Sequence, residues 1–144
     1  MRNLKFLLYT LAGLSLLYAD VSQAMSLSNA QIEAENVIRS YHLALTQGDT
    51  TTIKALLGGD LLKKRRKLLD NPTYPAHLLN VYSGSTIEIV NNTSENNSIS
   101  ITAKIILGTG EIQGRDYLLK QNNDPASTYR YIIYSDTSAG QDSL

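Results

Sequence analysis

The chain has 144 residues, 13 basic and 13 acidic side chains, a formal net charge of zero and no cysteine. That length supports one domain of common size, and 42% hydrophobic residues are too many for a disordered chain. The missing cysteines exclude disulfides, thiolate zinc sites, cysteine nucleophiles and lipoprotein anchoring through an N-terminal cysteine. Two histidines leave little room for a metal site, and no cofactor is expected. The balanced charge argues against a dedicated nucleic-acid binder.

Residues 1–24 read as an address rather than as part of the fold. Arg2 and Lys5 form a positive start, Phe6–Ala19 is apolar, and Ser22-Gln23-Ala24 supplies small residues at −3 and −1 of a signal-peptidase site. Cleavage is expected between Ala24 and Met25, giving a periplasmic or secreted protein. As a helix the apolar stretch spans ~21 Å, short of the ~30 Å hydrocarbon core of a bilayer. Nothing later approaches ~18 continuous apolar residues, so the mature chain is expected to be soluble. Loss of Arg2, Lys5 and Asp20 leaves 11 basic and 12 acidic groups, a net charge of −1. The division that follows is a signal peptide at 1–24, a single domain at 25–136 and a flexible tail at 137–144.

Ser28-Asn29-Ala30-Gln31 has the spacing of a capping box. A helix should follow to about Gln47, with Ala34, Val37, Ile38, Tyr41 and Leu45 on one stripe. Ala44 widens that stripe; Ile32 and Leu43 lie nearly opposite, which predicts cover on a second side. Gly48 suits the left-handed position that ends a helix. Asp49 can cap a short helix over about Thr50–Leu57, and Asp60 a third over LLKKRRKLLD, closed by Asn71-Pro72. Leu61, Leu62, Leu68 and Leu69 are its apolar anchors. Pro75 suits the first position of a fourth helix running to Tyr82.

After residue 85 the period changes from 3.6 to 2. Strands are expected at Thr86–Val90, Ser98–Leu107, Glu111–Gln121 and Thr128–Ser135, with NNTSENN (91–97) and NNDP as turns and Gly114 as a bulge. Ile99, Ile101, Ala103, Ile105 and Leu107 share one face of the second strand; Ser98, Ser100, Thr102 and Lys104 share the other. Such a sheet is packed on one side and wet on the other. Helices first and an antiparallel meander after them indicate an α+β fold, with the helices on one face of a sheet of about four strands. Asn-x-Ser/Thr sequons start at Asn91, Asn92 and Asn96.

The segment VIRSYHLALTQGDTTTIKALLGG (37–59), with its Gly48-Asp49 step between an amphipathic and a Leu-rich helix, resembles the opening of nuclear-transport-factor-2-like domains. The order that follows resembles small exported members of that superfamily without assigned function: a Lys/Arg/Leu-rich helix, then a meander with Tyr129-Arg130-Tyr131 where Trp-Lys-Ile is common. The resemblance covers roughly residues 29–135 and departs in having no tryptophan. It implies a cone-shaped, curved sheet wrapped around the long first helix, with room for a pocket between them. It implies no activity, because the fold carries enzymes and non-enzymes alike.

Few groups carry chemistry. His42 stands off the edge of the first helix's stripe, a place for a general base or for a packed boundary histidine. His77 has no carboxylate four residues away. Asp116 shares a strand face with Ile112 and Leu118; it is either a pocket acid, as in enzymes of the resembled superfamily, or a surface carboxylate paired across the sheet. Tyr41, Tyr82, Tyr117 and Tyr131 can line a pocket of mixed apolar and hydroxyl surface. Lys63, Lys64, Arg65, Arg66 and Lys67 spread around ~400° of helix, so they form no flat patch; they read as a solvated helix, or as a contact for anionic lipid or an acidic partner.

The expectation is therefore an exported, non-catalytic domain that binds a small apolar ligand or a protein partner in the cell envelope. Its rivals are a pocket isomerase, dehydratase or related lyase using Asp116 and His42, and a peripheral membrane or interaction module using the basic helix. A homodimer is left open.

Overall fold

A computed structural model describes residues 29–139. The expected signal peptide, its expected cleavage point and Ser28 of the expected capping box lie outside the described residues, as do 140–144. The fold below is that of the unit beginning at Gln31.

The first helix, α1, occupies 29–47 of the described residues. Ala34, Val37, Ile38, Tyr41, Ala44 and Leu45 are all buried, as their spacing requires. Its opposite side is not covered: Ile32 and Leu43 are more than half exposed. Gly48 ends the helix at φ +67°. Asp49 then caps α2 (Thr50–Leu56) by accepting the Thr52 amide at 3.0 Å.

The next helix, α3 (Gly59–Leu69), starts one residue before the expected cap, with Gly58 and not Asp60 at that position. The chain leaving α2 is held by the sheet first: Leu57 bridges Ile133, and the Gly58 amide donates to the Ile133 carbonyl at 2.9 Å. The helix can begin only after that contact. The double glycine has a steric reason, since a Cβ on Gly58 would stand 2.7 Å from Ile132 Cδ1, and one on Gly59 2.7 Å from Tyr134 Cε1. Of the four leucines expected to anchor α3, only Leu69 is buried; Leu61 and Leu62 are half-buried and Leu68 is 46% exposed. The last helix, α4 (Tyr74–Tyr82), starts one residue earlier than expected, with Pro75 in its first turn.

The sheet is a four-stranded antiparallel meander in the order β1-β2-β3-β4: β1 (Thr86–Glu95), β2 (Ser98–Ile106), β3 (Ile112–Gln121) and β4 (Tyr131–Ser138). β1 runs five residues past the expected end. The connection to β2 is only Asn96-Asn97, both at positive φ (48° and 63°), the primed-turn backbone of a tight hairpin. Ile99, Ile101, Ala103, Ile105 and Leu107 are buried against the helices. Gly114 is not a bulge but pairs in register with Lys104. Its missing Cβ admits Ala139, whose amide donates to the Gly114 carbonyl at 3.0 Å. β4 runs past its expected end at Ser135 and takes in Thr137 and Ser138 of the segment expected to be a flexible tail.

Bulges occur in both edge strands instead. Pairing passes from Ile89 to Asn91 with Val90 unpaired, and from Ser135 to Ile133 with Tyr134 unpaired. An extra residue inverts the in–out alternation beyond it. Asn92, opposite the buried Ile101, is thereby turned toward α1. Its carbonyl accepts from Gln31 Nε2 at 3.1 Å, and its Nδ2 donates to the Gln31 carbonyl and to Glu35 Oε1. Asp136, opposite the buried Tyr117, is turned inward in the same way. Among the described residues no helix is long and apolar enough to cross a membrane.

Candidate functional site

The β4 bulge delivers Asp136 into a pocket of about 190 Å³ bounded by α1, α3, α4 and the inner face of the sheet. The Asp136 side chain is only 3% exposed, and cations come to it from two directions. Arg65, from the middle of the basic run on α3, donates through Nη2 to Oδ2 at 2.8 Å. Arg115, which shares the inner face of β3 with Tyr117, donates through Nε to Oδ1 at 2.8 Å, and its Nη2 also contacts Oδ1. Tyr41 completes the set: its hydroxyl donates to Oδ2 at 3.2 Å and accepts from Arg65 Nη1. The Tyr41 and Tyr117 rings meet edge to face, 6.2 Å between centroids. Tyr74, Tyr82, Leu45, Leu68 and Ile105 form the remaining wall.

The electrostatics follow from burial and charge together. Burial, reinforced by Asp136, pushes the Tyr41 hydroxyl far above the usual phenol range, and Tyr117 behaves alike. Burial also raises Tyr74. For Arg65 burial acts downward, but Tyr41 and Asp136 outweigh it, so the guanidinium is held more firmly charged. Arg115 is held the same way, with Asp136 overcoming burial. The site thus contains permanent cations, protonated phenols and a carboxylate whose two oxygens already accept from Arg65, Arg115 and Tyr41. It offers donors and positive charge to a ligand. A proton acceptor free to do acid–base work is missing from this set of groups.

Three of the four expected pocket tyrosines, Tyr41, Tyr82 and Tyr117, line this pocket. Tyr131 does not; it lies on a separate surface groove with Glu33, Val37 and Arg130, where Arg130 Nη1 reaches both Glu33 carboxylate oxygens at 3.2 Å. His42 and Asp116 are not brought together. His42 is buried and its Nε2 meets Ser85 Oγ at 2.9 Å, away from the pocket, with burial lowering its pKa. Asp116 faces the outer side of the sheet, opposite Thr102 and Thr137, and accepts from Thr102 Oγ1 at 2.7 Å. Its cross-strand partner is therefore a threonine rather than a lysine or arginine. His77 is exposed and stacks on Tyr74.

The five cations of the basic run do not act as one group. Arg65 turns into the pocket, while Lys63, Lys64, Arg66 and Lys67 stay exposed, Lys63 beside Asp60 at 3.2 Å. Arg65, Arg115, Asp136 and Tyr74 are the site residues that the sequence pattern did not single out. No three His, Asp or Glu side chains gather as a metal site would need among the described residues. No family model matches the chain, and no curated protein matches it.

Proposed function

We propose that the chain is an exported, non-catalytic domain of the nuclear-transport-factor-2-like kind, and that it binds a small molecule in the pocket around Asp136. The observation that carries this reading is one buried carboxylate held by two guanidiniums and a tyrosine hydroxyl at the edge of an open 190 Å³ space. Concave pockets where a few polar groups converge are where ligands bind. A purely apolar ligand suits the pocket poorly, because it would strip water from Arg65 and Arg115 without replacing the hydrogen bonds. The ligand must carry a polar group.

The superfamily reading is supported by the element order: a long amphipathic helix, the Gly48-Asp49 step, short helices and a four-stranded meander. In this reading the sheet curves as a cone around α1. Export is supported by the Arg2/Lys5, Phe6–Ala19 and Ser22-Gln23-Ala24 pattern, and intact mass of the envelope fraction should begin at Met25. A full-length species retained in the membrane would refute export.

Thermal unfolding tests the binding reading. A panel of small neutral, anionic and cationic compounds should contain members that raise the melting temperature of the protein, since a ligand at 100 times its Kd adds about 2.7 kcal/mol. Leu68 lines the pocket while remaining 46% exposed, so Leu68→Trp narrows the mouth without touching the core. Stabilisation that persists in L68W, or none in wild type, would overturn the reading. A second reading has its own observation: Lys63, Lys64, Arg66 and Lys67 stand exposed on α3 once Arg65 is turned inward. For that reading, the protein should pellet with anionic vesicles at low salt and be released as salt shortens the Debye length to ~8 Å; failure to pellet at low salt would refute it.

A further inference from the structure

The charge balance of the pocket names its ligand class, and the inference rests on the binding reading above. We infer that the pocket takes a small aromatic monocarboxylate. The charged side chains that line it are Arg65, Arg115 and Asp136, so the protein itself leaves one positive charge unmatched there. Each guanidinium carries five N–H donors. Asp136 and Tyr41 take two from Arg65, through Nη1 and Nη2. Arg115 gives its Nε and Nη2 to Asp136 Oδ1 and its Nη1 to Ser138 Oγ at 3.5 Å. Donors therefore remain on both groups for a second carboxylate, and hydrogen bonds between charged partners are roughly twice as strong as neutral ones.

Size and wall chemistry narrow the class. An empty apolar cavity of about 150 Å³ holds one benzene molecule, so a pocket of about 190 Å³ holds a single ring and a carboxylate and little more. Tyr74 and Tyr82 offer ring surface and hydroxyl donors for a ring substituent, and Leu45, Leu68 and Ile105 stand in the same lining. A cation of the same shape meets the unmatched positive charge. A neutral analogue fits the walls but forms no charge-assisted bond.

The test compares three probes of one shape on the isotope-labelled wild-type protein: benzoate, benzyl alcohol and benzylammonium, followed by NMR at the arginine Nε–H signals and at backbone amides flanking the pocket. Benzoate should bind at least tenfold more tightly than benzyl alcohol and shift the Arg65 and Arg115 signals. Benzylammonium should not bind, and L68W should lose benzoate binding while keeping its fold by circular dichroism. Benzyl alcohol binding as tightly as benzoate, or benzylammonium binding more tightly, would overturn the anion inference and leave the pocket reading standing. If all three probes leave the pocket signals unmoved and the wider panel also fails, the pocket reading falls and takes this inference with it.

Discussion

Replacing Asp136 by alanine removes the acceptor of three hydrogen bonds and leaves two guanidiniums facing each other across a cavity. Removing one partner of a buried ion pair costs about 3–5 kcal/mol, because the survivor is left charged and unpaired. Here the survivors keep some water, since the Arg65 side chain is 29% and the Arg115 side chain 24% exposed. That softens the penalty to about 2–4 kcal/mol. Asp136→Asn keeps the shape and one acceptor oxygen, so it should fall between alanine and wild type. The internal control is Asp116→Ala on the outer face of the same sheet, where a single hydrogen bond from Thr102 is lost, at a cost of about 0.5–1.5 kcal/mol. Urea unfolding followed by far-UV circular dichroism reads these differences directly, provided the slope m stays constant. A double-mutant cycle of Arg65→Met with Asp136→Ala should then return a coupling of about 0.5–3 kcal/mol. If D136A and D116A differ by less than about 0.5 kcal/mol at constant m, Asp136 is not the buried hub of a charge cluster, and the inward turn of β4 is wrong.

Ile101→Ala, at a 1% exposed core position, should cost about 2–5 kcal/mol; Ser100→Ala on the wet face should cost about 0.5 kcal/mol or less, and equal costs would refute the face assignment. Gly48 and Gly84 both have positive φ, 67° and 74°, but a Cβ on Gly48 would meet the Pro75 carbonyl oxygen at 2.8 Å while one on Gly84 meets nothing within 4 Å. Gly84→Ala should therefore cost only the left-handed backbone penalty of about 1–2 kcal/mol and Gly48→Ala distinctly more; matched urea midpoints would show that the helix end does not approach α4. His42 has its pKa lowered by burial, so the unfolded state takes up its proton first as pH falls. Its contribution to stability is complete above the unfolded value of about 6.5 and declines as pH drops below it. Wild type should lose more stability between pH 7.5 and pH 5 than His42→Gln, and parallel profiles would contradict a buried neutral imidazole.

The parts of the fold visible in the sequence are those where one local period governs. The α1 stripe from Ala34 to Leu45 and the β2 alternation from Ile99 to Leu107 are each set by a single buried face, and every residue on them is buried. The Asp49 cap was visible for a similar reason, since its partner is three residues away. The α3 helix shows where this stops. Nothing in Lys63-Lys64-Arg65-Arg66-Lys67 distinguishes the third cation from its neighbours. What singles it out is a carboxylate 71 residues later, together with the Leu57 and Gly58 contacts that lay α3 against β4. Arg65 turns inward toward that partner, and Leu68, three residues on along the same helix face, lines the same pocket while remaining 46% exposed.

Asp136 was hidden by a subtler effect, and the same effect explains why the pocket is polar. Strict alternation from Tyr131 and Ile133, both buried, carries Ser135 inward and Asp136 out to solvent. The unpaired Tyr134 breaks that count, so Asp136 stands opposite Tyr117 on the inner face. The β1 bulge at Val90 does the same to Asn91 and Asn92, bringing Asn92 to α1. In each edge strand one inserted residue converts what the pattern reads as a surface side chain into an interior polar one, while the hydrophobic set before it stays in place. Bulges of this kind re-aim single side chains at the margins of sheets. The period of a strand identifies its buried face only up to the first bulge, and in this chain the residues beyond the two bulges supply Asp136, the anion that Arg65 and Arg115 share, and Asn92, the tie between α1 and the β1 edge. The sequence pattern therefore recovers Tyr41, Tyr82 and Tyr117 of the pocket but not Tyr74, whereas the register of β4 brings in the carboxylate that gathers Arg65 and Arg115.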